Sequence, residues 1–413
     1  LQPAAVAVAA FWHGLVGLDA EGRAVTPLYG WGEGRARSAA DALRARVDEA
    51  DAHGRTGCFL HEVYPSARLV WLRALGGDSL PPASTWGGIG ELLALRVFGE
   101  RRTSASMASG TGLMDLRRCA WDAEMLAAAG IRADALPPIG DAPFGGMRPA
   151  FARRWPELAS VPWYPALGDG ACASLGMGAA GRRVGLTVGT SAALRVLRDD
   201  GQPVVPAGLW CYRLDARRTV AGRAMSNGGS VFAWLERTLR LPPPAELEAA
   251  LAAIPPASHG LIVVPRLLPE RPPRPPGPET GAMAGLTMAA GPLQIARAWL
   301  EAAAFAMADG LDALDAAFGL ADEVVAGGGA LHASRAWARI VADALGRPLR
   351  MSPHEESTMR GAALWALERL GAVDDAVAFA AREADGGGGQ RIEPDVAAHA
   401  LYRAARKDPH PLA

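Results

Sequence analysis

Residues 168–197, GDGACASLGMGAAGRRVGLTVGTSAALRVL, constrain the fold more than any other stretch of the chain. They place one carboxylate, Asp169, between two glycines. The small apolar segment Ala171–Gly178 follows and favours a short helix packed closely against its neighbours. Two apolar segments within Arg183–Leu197 then predict two strands joined by the turn 189–191. A fold for this chain must therefore accommodate an acid, a close-packed helix and a polar turn between strands, in that order.

Two interpretations of this stretch remain open. Gly189, Thr190 and Ser191 offer backbone N–H groups and hydroxyls, which suit phosphate oxygens. Asp169 could accept a proton from a bound hydroxyl, so the two features together suggest phosphoryl transfer to an alcohol. Alternatively, Asp169 caps a helix and the three residues form only a hairpin turn. On these residues alone, the structural interpretation is the more ordinary one.

Three glycines of the same stretch, Gly176, Gly178 and Gly181, match the pattern GxGxxG. This pattern indicates dinucleotide binding only where a strand precedes it and a helix follows. Here a helix is predicted before it and a strand after it. We therefore reject a nicotinamide-dependent dehydrogenase.

Composition narrows the class of protein. The 413 residues are too many for one compact core and predict two domains. The net charge of -1 leaves no excess of positive charge with which to bind nucleic acid. No apolar segment of the sequence is long enough to span a membrane. The four cysteines lie far apart without CxxC spacing, which is typical of small buried residues in a reduced, cytoplasmic protein.

The N-terminal part alternates small and apolar residues. Residues 4–19 predict a strand pair that Trp12-His13-Gly14 interrupts. His13 could hydrogen-bond a polyol, although a structural histidine is the commoner role. Glu33 and Arg35 precede a helix predicted to run through Ala50, where such a pair is usually a solvated cap.

The C-terminal part contains a hairpin around Ala216-Arg217, then Asn227-Gly228-Gly229 leading into a helix, and a long helix over 291–318. A βαβα pattern follows. Its turn Gly327–Ala330 leaves a strand and enters a helix, which lets a flat or anionic ligand approach the backbone.

With these elements in order, the chain resembles the FGGY carbohydrate kinases of the actin/hexokinase-like superfamily over essentially its whole length. The resemblance is strongest in TVGTSAALRV, NGGSVFAWL, GGGALHASRAWARIVADALG and STMRGAALWAL. YPSARLVWL at 64–72 is similar to the first family signature, with Arg68 where the family usually has Lys. Residues 281–301 are similar to the second, with Trp299 out of pattern. FWHG, RTGCFLH and WCYRLDARRTVAG running into SNGG look most like gluconokinases.

The resemblance implies an α/β fold of two actin/hexokinase-like (ribonuclease H-like) domains with an interdomain cleft, the first domain incomplete. The implied domains are 1–181 for the sugar and 182–413 for the nucleotide. Asp169 matches the catalytic base and is expected to help hold Mg²⁺. The implied sugar contacts are Trp12, His13, Glu33, Asp169 and Gly170. The implied ATP contacts are Gly189, Thr190, Ser191, Asn227, Gly228, Gly328, Gly329, Ala330 and Ser334.

The implied reaction is ATP-dependent phosphorylation of a terminal hydroxyl of a sugar acid, gluconate giving 6-phosphogluconate, in the cytoplasm. A xylulokinase-like pentulose kinase is the alternative of the same chemistry. A non-catalytic sugar- or nucleotide-binding remnant is a further alternative, because the family's first phosphate loop, D-x-G-T-[ST], does not precede Leu1. We expect a fragment of a normal kinase.

The expected partners are a sugar or sugar acid and ATP, with no nucleic acid or membrane. The oligomeric state, homodimer included, stays open.

Overall fold

The protein divides into two compact units, each assembled from three chain segments. The computed structural model describes residues 2–75, 83, 85–199, 201–273, 280–386 and 389–407. The first unit consists of 1–176, 197–221 and 356–380, and the second of 177–196, 222–355 and 381–413. The linear division at 181/182 remains a prediction for the family's domain boundary.

Among the described residues, helices and strands occur in both parts of the chain, singly or in short runs of the same kind. The helices are α1 Arg37–Arg44, α2 Glu49–Thr56, α3 Pro65–Ala74, α4 Ile89–Phe98, α5 Ala105–Ser109, α6 Ala123–Ala129, α7 Pro149–Arg154, α8 Pro156–Ala159, α9 Asp169–Gly176, α10 Gly229–Thr238, α11 Pro244–Ala253, α12 Pro292–Phe318, α13 Gly329–Ala333, α14 Arg335–Leu345, α15 Ser357–Arg369, α16 Ala376–Gly386 and α17 Val396–Lys407. The strands are β1 Ala9–Ala10, β2 Val16–Leu18, β3 Thr85–Gly87, β4 Met114–Asp115, β5 Ala120–Trp121, β6 Leu167–Gly168, β7 Arg183–Val188, β8 Ala192–Arg198, β9 Trp210–Arg213, β10 Thr219–Met225, β11 Ile262–Val264, β12 Ala282–Ala284, β13 Glu323–Gly327, β14 Leu349–Met351 and β15 Arg391–Ile392.

Helices α9 and α15 of the first unit pack with their backbones in direct contact. A Cβ atom added to Gly176 would lie 1.9 Å from the carbonyl oxygen of Ser357, and one added to Gly361 would lie 1.8 Å from that of Cys172. Arg360 donates a hydrogen bond to the carbonyl oxygen of Gly176. The short, close-packed helix predicted after Asp169 is confirmed, and its small residues are what allows this contact.

A buried ion-pair network joins two of the first unit's three segments, 197–221 and 356–380. Arg218 donates to Asp215 at 2.6 Å and to Glu368 at 2.7 Å, and the indole N–H of Trp365 donates to Asp215 at 2.9 Å. Burial by itself would raise the pKa of Asp215, but the charge of Arg218 and the hydrogen bonds from Arg218 and Trp365 together outweigh burial and hold that pKa below its ordinary value. Because both ions are almost fully buried, each depends on the other for its stability.

The second unit contains most of a seven-stranded sheet with the order β15-β14-β13-β7-β8-β10-β9. β13 is parallel to both β7 and β14, and β7 is antiparallel to β8, with Leu186 opposite Leu194. The hairpin predicted at 183–197 and the βαβ unit predicted after residue 322 are both confirmed. The parallel pair brings the carboxyl ends of β7 and β13 to one edge of the sheet.

Two local predictions were wrong. Residues 4–19 do not form a strand pair, because β1 pairs in parallel with β6 and β2 pairs antiparallel with β3. The helix expected through Ala50 is two helices, since the side chain of Asp48 caps α2 by accepting the N–H of Asp51 at 2.8 Å.

The order of elements around the GxGxxG pattern is as predicted. α9 ends at Gly176 and β7 begins at Arg183, so a helix precedes the pattern and a strand follows it. None of the described helices combines the length and apolar character needed to cross a membrane.

The contact between α9 and α15 predicts that Gly361→Ala destabilises the protein. In an open helix position this substitution adds up to about 1 kcal/mol of stability through helix propensity. At Gly361 the added methyl group meets the backbone of α9, so we expect a net loss of about 2 kcal/mol or more in urea unfolding.

Gly54→Ala is the matched control, since a Cβ atom there in α2 meets nothing within 4 Å. It should be neutral or slightly stabilising. A Gly361→Ala protein as stable as the Gly54→Ala protein would contradict the backbone contact.

Candidate functional site

Trp12 is a fixed, buried side chain of the first unit. The residue is 6% exposed, and its indole N–H donates to the backbone oxygen of Ser106 at 2.9 Å. The ring stands edge-on to Tyr212 with centroids 4.9 Å apart. Its only N–H is therefore used within the protein, which leaves the ring surface as the part that a ligand could contact.

Trp12 also fixes the backbone immediately before Asp169. A Cβ atom on Gly168 would lie 1.9 Å from the indole ring, so only glycine fits there. The N–H of Gly168 donates to the hydroxyl of Ser106 at 2.9 Å. Ser106 therefore accepts one hydrogen bond from Trp12 through its carbonyl oxygen and one from Gly168 through its hydroxyl. These two bonds hold Trp12 and Gly168 next to each other.

Asp169 begins helix α9 and is exposed, whereas the adjacent Gly170 is buried. One carboxylate oxygen accepts the N–H of Gly170 at 2.8 Å. An exposed carboxylate on a rigid helix start, next to a backbone fixed by Trp12, has the placement that a general base requires.

His13 has a left-handed backbone, with φ at 66°. Its Nδ1 lies 2.6 Å from the carbonyl oxygen of Gly110, and because a carbonyl can only accept, Nδ1 carries the proton in this bond. The imidazole stands edge-on to Tyr64 and Tyr212, with centroids 5.0 and 5.7 Å away, and the two tyrosine hydroxyls are 2.8 Å apart. His13 is therefore held in one orientation and one tautomer.

Glu33 is held as a carboxylate. Arg35 donates to it at 2.8 Å through Nε and at 2.5 Å through Nη2. These hydrogen bonds lower the pKa of Glu33 from 4.5 to about 2, with a smaller contribution from the charge of Arg68. A permanently ionised carboxylate can accept hydrogen bonds from polyol hydroxyls over the physiological pH range.

Several residues around His13 were missed by sequence reasoning. Tyr64 and Tyr212 contact its ring, Arg68 donates to its carbonyl oxygen, and Glu91 lines the small cavity beside it. Tyr64 and Arg68 lie in the segment YPSARLVWL, and its similarity to the first family signature could have identified both as candidate site residues. No motif in the sequence marks Tyr212 or Glu91 in this way.

In the second unit, the turn between β7 and β8 is bonded to the start of α10. The N–H of Gly229 donates to the carbonyl oxygen of Gly189 at 2.8 Å, and that of Ser230 donates to Thr190 at 3.0 Å. A Cβ atom on Gly228 would lie 2.6 Å from the carbonyl carbon of Ser191. Two of the predicted nucleotide segments, 189–191 and 227–229, are therefore in backbone contact.

The third predicted segment joins them at the same sheet edge. Gly328 has φ at 97°, and a Cβ atom there would lie 2.4 Å from the carbonyl oxygen of Val188. A Cβ atom on Gly229 would be 3.0 Å from that of Ala330. Gly329, by contrast, is exposed, and a Cβ atom on it meets nothing within 4 Å. The three segments form what we call the glycine edge, residues 189–191, 227–229 and 328–330, which offers backbone groups to an incoming ligand.

Asn227 and Ser334 make bonds within the protein. The Asn227 amide nitrogen donates to Leu268 at 3.0 Å and to Glu270, and its oxygen accepts the Leu268 N–H at 2.9 Å. Ser334 caps α14 by accepting the N–H of Trp337 at 3.1 Å. Both side chains are buried, so the structure assigns them a supporting role, and direct nucleotide contact by either residue stays a prediction.

Within the described part of the chain, no three His, Cys, Asp or Glu side chains are grouped closely enough to hold a metal ion. Mg²⁺ in nucleotide sites usually takes only one or two carboxylates and completes its coordination with phosphate oxygens and water. The prediction that Asp169 contributes to a metal site is compatible with that mode of binding and stays a prediction.

Two family models match the chain. Residues 1–176 match the N-terminal domain of the FGGY family of carbohydrate kinases, and residues 184–368 match its C-terminal domain.

Relatives with established names show low but extended identity. A gluconokinase of Bacillus licheniformis is 26% identical over 388 residues, which is 90% of this chain and 75% of that protein. A xylulose kinase of Escherichia coli strain K12 is 28% identical over 360 residues, 84% of this chain and 71% of that protein.

Solved structures agree in fold. A ligand-bound xylulose kinase from Lactobacillus acidophilus has a TM-score of 0.88 at 25% identity, covering 98% of this chain and 83% of that chain. A gluconate kinase from Lactobacillus acidophilus has a TM-score of 0.87 with the same identity and coverage. The α/β, two-domain fold expected from the sequence is thereby confirmed.

The ion pair between Glu33 and Arg35 predicts a pH-dependent contribution to stability. The folded pKa of about 2 is below the ordinary 4.5, so ionised Glu33 stabilises the fold above pH 4.5, and this contribution is lost as the pH falls through about 2. Glu33→Gln should therefore be less stable than the parent at pH 7, by about 1 kcal/mol after solvent screening, with the gap closing near pH 2.

Urea unfolding of the parent and the variant at several pH values measures this gap. Glu157→Gln, at an exposed position of α8, serves as the control. Its free energy of unfolding should follow that of the parent at every pH. A Glu33→Gln gap that stays constant from neutral to acid pH would show that this carboxylate does not titrate as described.

Proposed function

The chain belongs to the FGGY family of carbohydrate kinases, and from that membership we propose that it phosphorylates the terminal hydroxyl of gluconate to give 6-phosphogluconate. The observation that carries the proposal is the placement of Asp169, an exposed carboxylate at a helix start whose preceding residue, Gly168, is locked against the ring of Trp12. A proton acceptor fixed in this way, in a unit that also holds polar groups suited to a polyol, fits transfer to an alcohol.

In the proposed mechanism, the carboxylate of Asp169 accepts the proton of the attacking hydroxyl. The hydroxyl oxygen bonds to the terminal phosphorus of ATP while the bond between that phosphorus and ADP breaks, and ADP leaves. The Gly170 N–H donates to one carboxylate oxygen at 2.8 Å and helps fix the orientation of the group. Positioning of this kind is most of what a protein can contribute to phosphoryl transfer, because the reaction needs little covalent chemistry from side chains.

Three side chains of the first unit are proposed to orient the polyol. The ring of Trp12 packs against its carbon chain, and the imidazole of His13 and the carboxylate of Glu33 bond its hydroxyls. Glu33 accepts hydrogen bonds at neutral pH because Arg35 keeps it ionised. His13 is fixed in one tautomer by its bond to Gly110, which would allow it to distinguish donors from acceptors on the sugar.

The glycine edge of the second unit is proposed to hold ATP, which supplies the phosphoryl group. Two features of the glycine edge suit ATP. Neighbouring backbone occupies the space where Gly228 and Gly328 would carry a Cβ atom, whereas Gly329 faces open space. Backbone N–H groups and the hydroxyls of Thr190 and Ser191 at this edge suit phosphate oxygens. A divalent metal, proposed to be Mg²⁺, would neutralise phosphate charge, with Asp169 as its protein ligand.

Two observations favour a sugar acid over a pentulose as the substrate. The gluconokinase relative matches more of this chain than the xylulose kinase relative does, 90% against 84%. In addition, the charge of Arg68, which donates to the carbonyl oxygen of His13 and acts on Glu33, favours an anionic substrate. A kinase of this kind draws on cytoplasmic ATP, so we place it in the cytoplasm.

A substrate panel tests the proposal. The full-length protein is assayed with ATP, a divalent metal and gluconate, xylulose or glycerol in turn, and gluconate should give the highest kcat/KM. Asp169→Asn should lower kcat by about a hundredfold or more, the usual scale for loss of a general base, with the KM for ATP nearly unchanged.

Asp374→Asn, at an exposed acid outside the site, is the control and should match the parent. If xylulose is preferred, the pentulose kinase alternative replaces gluconate. An Asp169→Asn protein with a kcat within a few-fold of the parent would show that Asp169 is not the base.

Gly329→Val tests the glycine edge. Because a Cβ atom at Gly329 meets open space, the variant should fold normally and place its branched side chain where the nucleotide is proposed to bind. We expect ATP affinity to fall about tenfold or more by calorimetry, with sugar affinity kept.

Gly54→Val, at a helical glycine with the same open surroundings, should leave both affinities unchanged. Equal losses of ATP and sugar affinity in Gly329→Val would point to misfolding and away from the glycine edge.

A further inference from the structure

Arg68 is a buried cation with incomplete hydrogen bonding. The side chain, on helix α3, is 0% exposed. Its Nη1 donates to the carbonyl oxygen of His13 and lies 3.5 Å from that of Tyr29. Among the described residues, none accepts a hydrogen bond from its Nε or Nη2. Buried donors without partners are costly, and a side chain present only for packing would be apolar.

The group that Arg68 does bind has an uncommon backbone conformation. His13 is a non-glycine residue with φ at 66°, in the left-handed region that side chains with a Cβ atom disfavour. Such a conformation persists only when surrounding contacts fix it, and it is enriched at functional sites. On its side-chain face, the imidazole is held by Gly110 and Tyr64.

The carbonyl of His13 is the part of this turn that the ring contacts do not fix. A bond from a guanidinium is stronger than one from a neutral donor, and burial shields it from competing water. Burial lowers the pKa of Arg68 to about 10, against the opposing charges of Glu33 and Glu62, so the group remains charged at neutral pH. Arg68 can therefore hold the His13 carbonyl in the direction that the left-handed turn requires.

We propose that Arg68 is a positioning residue for sugar recognition: it fixes the left-handed backbone of His13 by binding its carbonyl oxygen, and so orients the imidazole toward the polyol. The effect of Arg68 on catalysis rests on the proposed function, because His13 contacts the polyol only in that proposal. The effect of Arg68 on the backbone of His13 is independent of the proposed function.

The structural arm of the test is a crystal structure of Arg68→Met. The methionine fills similar volume but cannot donate to His13. We expect φ of His13 to leave the left-handed region and its contact with Gly110 to be lost. An unchanged His13 conformation in this variant overturns the proposal, whatever the enzyme phosphorylates. If Arg68→Met does not fold, Arg68→Leu, which is also apolar and likewise cannot donate to His13, takes its place with the same expectation.

The kinetic arm uses whichever of gluconate, xylulose and glycerol the parent phosphorylates best. Arg68→Met should raise the KM for that sugar by about tenfold or more while the KM for ATP stays within about twofold. Arg68→Lys, which keeps a cationic donor, should recover the sugar KM to within about threefold of the parent. In a His13→Ala background, Arg68→Met should add less than about twofold, because the two residues act as one unit.

Arg213→Met is the matched control. Arg213 is also a buried guanidinium that donates to backbone carbonyls, those of Leu116 and Ala216, so its loss should lower stability but leave the sugar KM unchanged. The kinetic role of Arg68 is overturned if the effects of Arg68→Met and His13→Ala on the sugar KM are additive. It is also overturned if Arg213→Met raises the sugar KM as much as Arg68→Met does. Failure of all three sugars as substrates would overturn the proposed function and leave the structural arm to decide the role of Arg68.

Discussion

The first unit depends on the contact between the indole ring of Trp12 and the backbone of Gly168. A Cβ atom at Gly168 would overlap the ring, so the contact requires glycine at the end of β6, directly before Asp169. Ser106 adds two hydrogen bonds, one to each partner. Because Asp169 follows directly, packing at the preceding residue fixes the backbone that carries its carboxylate.

The glycine edge of the second unit uses the same principle. Gly228 and Gly328 lie against neighbouring backbone, so that three loops meet where side chains would have separated them. Parallel pairing of β7 and β13 aligns the ends of those strands, and the bonds from Gly229 and Ser230 tie the β7–β8 turn to α10. The result is a surface of backbone groups, which suits a phosphate-bearing ligand better than a surface of flexible side chains.

Buried charges fall into two kinds in this protein. Asp215, Arg218 and Glu368 pair with one another, and Arg217 adds a second positive charge at Glu368. These pairs satisfy one another, as a buried structural network must if it is not to weaken the fold. Arg68 is different, because part of its hydrogen-bonding capacity is unused and its one strong bond supports a strained turn at His13. This contrast is the physical reason for assigning a role in the site to Arg68 and only a structural one to Arg218.

The sequence by itself determined the elements whose signals are local. The β7–β8 hairpin and the helix after Asp169 follow from short-range patterns of Gly, small and β-branched residues, and the order of motifs identified the family. The tertiary structure alone decided the pairing of β1 with β6, the contacts of Tyr212 and Glu91 near His13, and the supporting bonds of Asn227 and Ser334. Each of these joins residues far apart in the chain, and whether a polar side chain faces a ligand or bonds its own protein depends on such partners. No local pattern of residues encodes them.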